Sequence, residues 1–195
     1  VGYSILSQAR IMKVWNIPQW GSREAILLDL VSDVLASGKT SRLYKRLVYD
    51  EQIATNVSAF VDPMEIAGQF YIDVMVKPGI DPQVVEKALN EELEKFLKTG
   101  PSEKELKRVK NQYSANLIRG MERIGGFGGK TDILAISQVF AGDPDAWKKQ
   151  YQQVLAASAK DLHKAAQEWL SDGVYVLTIL PFPPYTSLPS DTTLR

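Results

Sequence analysis

Apolar and polar positions change period several times along this chain, and each change marks an element. Over residues 8–17 they alternate loosely and stop at Pro18, as in a strand with one buried face. Ser22 then offers an N-cap, Glu24 places negative charge in the first turn, and residues 25–35 are apolar on nearly every side except at Asp29, Ser32 and Asp33. A helix of that composition is buried on more than one face. Gly38 reads as its C-terminal stop, and Ser41 as the cap of a second helix reaching Tyr49, with Leu43, Tyr44 and Leu47 toward the core. Residues 53–60 read as a strand, Pro63 as a turn, and 66–77 as another strand, where Phe70, Ile72, Val74 and Val76 alternate with Tyr71, Asp73, Met75 and Lys77. The short turn between these strands predicts antiparallel pairing.

The rest is mostly helical. Asp81-Pro82 gives an N-cap with proline at the first helical position, and Val85, Leu89 and Leu93 recur on one face until Gly100. Ser102 with Glu105 forms a capping box ahead of the stripe Leu106, Val109, Tyr113 and Leu117. Asp143-Pro144 predicts the start of a helix carrying Trp147, Tyr151, Val154 and Leu155, and Ser158 with Asp161 opens a last one carrying Leu162, Ala165, Ala166 and Trp169. Residues 174–180 return as a strand closed by Pro181. Strand, two helices, two strands, several helices and a strand specify an α+β domain, a two-layer antiparallel or mixed sheet packed with helices. One domain is expected over 1–182, with the Pro/Ser/Thr-rich stretch 183–195 as a tail or linker.

Composition narrows the chemistry. The chain has 195 residues, 45% of them apolar, enough for a sizeable core. Lys plus Arg and Asp plus Glu both number 23, so no bulk charge draws the chain to nucleic acid or an anionic membrane, and neither is expected as a partner. The absence of cysteine removes disulfides, thiolate metal sites and cysteine nucleophiles together. No apolar run approaches the ~20 residues of a spanning helix, and the signal-peptide pattern is missing. A start at Val1 rather than methionine suggests a piece of a longer or processed protein.

Two stretches invite a phosphate site, and both fail on spacing. Gly38-Lys39-Thr40-Ser41 ends like a phosphate-binding loop, but the glycine required five positions earlier is Asp33, in a helix, where its carboxylate repels phosphate. In the stretch 124–131, a dinucleotide fingerprint built on Gly126 and Gly128 needs glycine at Thr131, and a phosphate loop ending Gly129-Lys130-Thr131 needs glycine at Ile124. Four glycines around Phe127 instead make either a close backbone approach or a loop that faces a ligand or substrate. The single histidine, His163, has no ligand partner at i+4, so it reads as an ordinary surface or satisfied histidine. The acidic runs read as solvated helix faces, with Glu91 pairing Lys95.

Taken in order, Gly38-Lys39-Thr40-Ser41-Arg42-Leu43-Tyr44, Glu51-Gln52-Ile53-Ala54, Gly100-Pro101-Ser102-Glu103-Lys104-Glu105-Leu106 and Arg123-Ile124-Gly125-Gly126-Phe127-Gly128-Gly129-Lys130 resemble one domain of the M16 zinc peptidases. It is the second, non-zinc domain of a half-unit in this insulinase family of pitrilysin, insulysin and the mitochondrial processing peptidase. The resemblance runs from about residue 8 to 181. It implies the metallohydrolase fold of LuxS and the processing peptidase, with two half-units of two similar α+β domains closing over an unfolded peptide. It also implies zinc on a His-x-x-Glu-His helix, with a further glutamate, in the first domain of the N-terminal half.

None of those ligands exists here, so no catalytic or metal residue is assigned and the zinc is expected in an upstream domain of the parent. The C-terminal half of such enzymes carries an arginine followed seven residues later by a tyrosine. In the register of Ser41-Arg42-Leu43 those positions are Val48 and Thr55, and the Arg42 and Tyr49 pair is out of register. The resemblance therefore implies the N-terminal half of a bacterial, periplasmic metalloendopeptidase. This domain would be non-catalytic, walling the peptide chamber and supporting the zinc domain, with other M16 domains and peptide substrate as partners. Candidates for substrate-facing or interface residues are Lys39, Ser41, Arg42, Gly126, Phe127, Gly128 and Lys130. The alternative is an M16-fold scaffold or binding protein without protease activity, such as core subunits of the respiratory bc1 complex; a self-contained enzyme acting on a phosphorylated ligand is more distant.

Overall fold

The computed structural model describes residues 2–4 and 8–181. In chain order the elements are β1 (Gly2–Ser4), β2 (Arg10–Pro18), α1 (Arg23–Ala36), a π-helical segment (Tyr44–Asp50), β3 (Ala54–Pro63) and β4 (Ala67–Val76). Then follow α2 (Pro82–Thr99), α3 (Glu103–Glu122), α4 (Lys130–Ala141), α5 (Ala146–Ala156), α6 (Ala159–Leu170) and β5 (Tyr175–Pro181). The sheet order is β1-β5-β2-β4-β3. All neighbours pair antiparallel except β1 with β5, which is parallel, so the sheet is mixed. This is the α+β, two-layer arrangement expected from the element order; the proposed tail at 183–195 lies outside the described residues.

Strand pleat sorts the side chains. Phe70, Ile72, Val74 and Val76 of β4, with Ile11, Trp15 and Ile17 of β2 and Val57 of β3, are buried on one face. That face receives α1, whose Leu28, Leu30, Val31, Val34 and Leu35 are all fully buried. The sheet covers one flank of α1, and α3, α5 and α6 pack on others. The capping signals act as read: Ser22 Oγ accepts from the Ala25 N–H, Asp81 from the Gln83 N–H, and the Ser102/Glu105 and Ser158/Asp161 boxes are both formed. The C-terminal carbonyls of α1, which has no basic residue in its last turn, are met by Arg108 of α3, whose Nη1 and Nη2 donate to Ser37 O at 2.8 Å and Asp33 O at 3.1 Å.

Four local expectations are corrected. The second helix is π-helical, with the Glu51 N–H donating to Arg46 O at 2.9 Å; it ends at Asp50, and Gln52 takes φ +52° before β3 begins. Ser41 does not cap it: its hydroxyl donates to Gly38 O at 2.7 Å, closing the turn in which Gly38 has φ +81°. Asp143-Pro144 lies ahead of α5, because Asp143 accepts the Asp145 N–H in a turn and leaves Asp145 as N-cap. Glu91 pairs with Arg46 at 2.5 Å, across the gap to α2, because the guanidinium already sits between Glu91 and Glu51.

The apolar surround of α1 also desolvates its acids. Burial foremost, and the Asp33 charge second, raise the Asp29 carboxyl to about 7 from its ordinary 3.8. A raised carboxyl favours folding only while protonated, so this contribution is intact below about pH 4 and lost as pH climbs through 7. Asp29→Asn should therefore leave the urea midpoint unchanged near pH 4 and raise stability at pH 8 by on the order of 1–3 kcal/mol, read by far-UV circular dichroism.

Candidate functional site

The residues singled out in the sequence form two groups at opposite ends of α3. One is the corner after α1; the other is the glycine loop between α3 and α4. Glu105 and Arg123, which mark the two ends, are eighteen residues apart on or beside one helix, so the groups are separated by about 27 Å.

At the first corner Arg42 is the organising side chain. Its Nε donates to Glu105 Oε1 at 2.7 Å, and its Nη2 donates to Glu105 Oε2 and to Gly100 O, both at 2.9 Å. The guanidinium also lies over the Phe96 ring, 5.0 Å from its centroid. Gly100 is required there twice over. Its φ is +68°, and a Cβ would meet His163 Cγ at 2.8 Å. His163 is the satisfied histidine expected, its Nε2 donating to Leu97 O at 2.8 Å. Glu105 accepts from Arg42 and from the Ser102 backbone N–H and hydroxyl. Desolvation pushes its carboxyl upward, but these hydrogen bonds together prevail and hold it at about 2.

Beside this clamp a groove of about 660 Å³ runs past Lys45, Arg46, Asp50, Glu92 and Lys95. Its acids and bases largely neutralise one another, Arg46 alone bridging Glu51, Glu91 and Glu92. Lys39 is exposed on the turn, Ser41 is fully buried beneath it, and Val48 packs against the core. Thr55 sits where the β3 register slips against β4, between Ala54 and Asn56.

The glycine loop is stitched by its own backbone. The Lys130 N–H donates to Arg123 O at 2.7 Å, the Thr131 hydroxyl to Ile124 O at 2.7 Å, the Gly128 N–H to Asp132 Oδ2 at 2.7 Å, and Arg123 Nη2 to Phe127 O at 3.2 Å. A Cβ on Gly129 would meet Gly125 O at 2.6 Å, so a close approach of backbones is real here. Gly126 and Gly128 take φ +84° and +68°, turning Phe127 outward with 98% of its surface exposed, and Lys130 is exposed beside it.

Neither corner fits a zinc ion. The chain has no cysteine and one histidine, already spent on Leu97 O, and no group of three potential ligands is assembled among the described residues. The outer face of the sheet is the feature that motif reading passed over. Tyr175, Val14, Tyr71 and Phe60 stand opposite one another across β5, β2, β4 and β3, with Phe60 stacked on Tyr71 at 4.8 Å. A trough of about 300 Å³ beside this row is lined by strand residues and Gly173, with no helix covering it among the described residues. The signal was present in the sequence as apolar residues on the wrong phase of each strand.

The family described as the peptidase M16 inactive domain matches residues 4–113, more than half of the chain. The chain belongs to that family. The M16 inactive domain is 22% identical over 158 residues to the zinc protease PqqE of Helicobacter pylori, covering 81% of this chain and 35% of that protein. The structure of a protease from Helicobacter pylori superposes with a TM-score of 0.81 at 20% identity, over 93% of this chain and 43% of that one. The periplasmic protease PqqL of Escherichia coli gives 0.71 at 18% identity, over 93% and 20%. The chain thus spans about a third of the curated relative it matches, and the M16 inactive domain has the fold shared by these proteins.

The clamp gives a prediction whose sign follows from the Glu105 carboxyl. Its stabilisation is present above the ordinary value of 4.5 and is lost as pH falls toward 2. Arg42→Ala should cost roughly 1.5–3 kcal/mol at pH 7 in urea denaturation, and the gap from the wild type should narrow as pH is lowered from 5 to 2.5.

Proposed function

We propose that this M16 inactive domain is a non-catalytic wall of a zinc metalloendopeptidase, contributing to the chamber that holds the peptide and bracing the domain that carries the metal. The observation that carries the reading is the uncovered outer sheet face. Helices shield the inner side of the sheet, and the row of Tyr175, Val14, Tyr71 and Phe60 left facing outward is a surface for another domain. Family membership in an inactive domain, and a length about a third of a zinc protease, support the same reading. The zinc, the catalytic glutamate and the His-x-x-Glu-His helix then belong to a companion domain of the parent. Absence of the arginine and tyrosine at Val48 and Thr55 supports the N-terminal half, and likeness to a periplasmic protease supports that compartment.

Within this reading Lys39 and the loop residues Gly126, Phe127, Gly128 and Lys130 face the peptide or a neighbouring domain, while Ser41 and Arg42 set the shape of the corner that presents Lys39. The exposed ring of Phe127 provides an apolar contact that costs this domain nothing to lose.

The purified chain should contain less than a tenth of an equivalent of zinc after incubation and dialysis, and should leave an unfolded peptide mixture intact by mass spectrometry; stoichiometric zinc or cleavage would overturn the proposal. Finding no His-x-x-Glu-His motif in the full reading frame of the parent would turn the role into that of a scaffold. A second expectation concerns the sheet face. Phe60→Asp with Tyr175→Asp, both at exposed strand positions, should cost on the order of 1 kcal/mol per site, Phe60 through its stack on Tyr71, and leave the fold intact. The double variant should weaken association with the companion domain at least tenfold in isothermal titration calorimetry.

A further inference from the structure

We propose that the cavity around Asp29 is a receptor for a single lysine or arginine side chain of a peptide. The cavity measures about 270 Å³ and opens between α1, α3, α5, the end of β3 and the loop before α1, with Trp20, Gly21, Asp29, Val61, Tyr113 and Gln150 on its walls. Small-molecule pockets start at roughly 300 Å³, so this one is scaled to a side chain rather than to a cofactor.

Asp29 supplies the charge. It interrupts an otherwise apolar stretch of α1, and among the described residues no hydrogen bond is donated to its carboxylate and no cation pairs with it. A carboxylate withdrawn from water is costly unless a cation or donors meet it. The surrounding groups do not serve. Asp33, one turn along, carries the same charge, and Arg108 is committed to the carbonyls of Asp33 and Ser37. Tyr113 and Gln150 contribute neutral polar atoms. Desolvation, followed by the Asp29 charge, raises the Tyr113 phenol to about 12, so it stays a neutral hydroxyl beside the acid.

The walls suit the rest of such a side chain. Trp20 is fixed by its backbone N–H, which donates to Met64 O at 2.9 Å, and by stacking on Phe140 at 5.4 Å. Tyr113 is fixed by stacking on Tyr151 at 6.4 Å, and Tyr151 in turn donates its hydroxyl to Ser114. Two held aromatic rings flanking one acid form a setting for a guanidinium or an alkylammonium and its aliphatic stem. A divalent metal is a poor match, because it requires several oxygen ligands and the cavity offers one carboxylate. Gly21, at the mouth, takes φ +76°, a backbone conformation that a side chain there would strain.

The inference concerns binding by this chain alone and does not depend on what its parent cleaves. It is tested by two-dimensional NMR of the nitrogen-15-labelled chain at pH 8, titrated with the N-acetyl methylamides of arginine, lysine, citrulline and glutamate. Saturable shifts of the Trp20 indole N–H and the Gly21 and Gln150 amides are expected with arginine or lysine. Citrulline, equal in shape to arginine but uncharged, should bind at least tenfold more weakly, and glutamate should produce no saturable shift. Asp29→Asn, which removes a half-buried charge from α1 and so keeps the fold, should abolish the difference between arginine and citrulline; Trp20→Ala should weaken the basic probes. Absence of a saturable shift with both basic probes, citrulline matching arginine, or unchanged discrimination in Asp29→Asn would overturn the assignment. A negative outcome leaves the chamber-wall reading intact, since that rests on metal content, cleavage and domain association.

Discussion

A helix as apolar as α1 cannot be left against solvent on any broad side. Five of its leucines and valines are shielded completely, and doing so takes the sheet on one flank and α3, α5 and α6 around the others. The remaining elements are placed by that requirement. The strands turn their large side chains to α1, α3 lends Arg108 to its C-terminal carbonyls, and the loop before it is pinned by Ser22. The outer face of the sheet receives nothing in exchange, because every helix of the described region is used on the side where α1 lies.

Much of this was legible in the sequence because the informative signals were local. Capping residues at Ser22, Asp81, Ser102 and Ser158 mark helix starts through hydrogen bonds spanning two or three residues, and the phase of Phe70, Ile72, Val74 and Val76 fixes which face of β4 is buried. The misread places are those where distant partners decide. Over the seven residues from Tyr44 to Asp50 the periods of α and π helices put Leu43 and Leu47 inward alike, and Arg46 reaches acids of α2 that no local pattern reveals. The parallel pairing of β1 with β5 joins chain segments more than 170 residues apart, beyond any periodicity argument.

For the candidate site the division is similar. The glycine loop announced itself by composition, and the structure gives it the close backbone approach read from its glycines, with Phe127 turned outward. The sequence marked Arg42 but not its pairing with Glu105, which depends on the turn at Gly100. Asp29 was visible as one of three polar interruptions in an apolar helix, yet the cavity beside it is made by Trp20, Val61, Tyr113 and Gln150, from four other parts of the chain. A polar residue in an apolar stretch identifies an exception; only the assembled neighbours show whether it is satisfied.

The place of β2 in the sheet has a bearing on biosynthesis. Although it is among the first elements made, it lies between β4 and β5, and Arg10 pairs with Ile179. At ribosomal rates of ~5–20 residues per second, about 10–30 s pass between synthesis of the two partners. During that interval one edge of β2 carries unpaired backbone groups next to Met12 and Val14, the kind of edge that captures other strands. The mixed sheet is therefore completed only when β5 closes that edge, so its central strand is held from both sides by segments far apart in the chain.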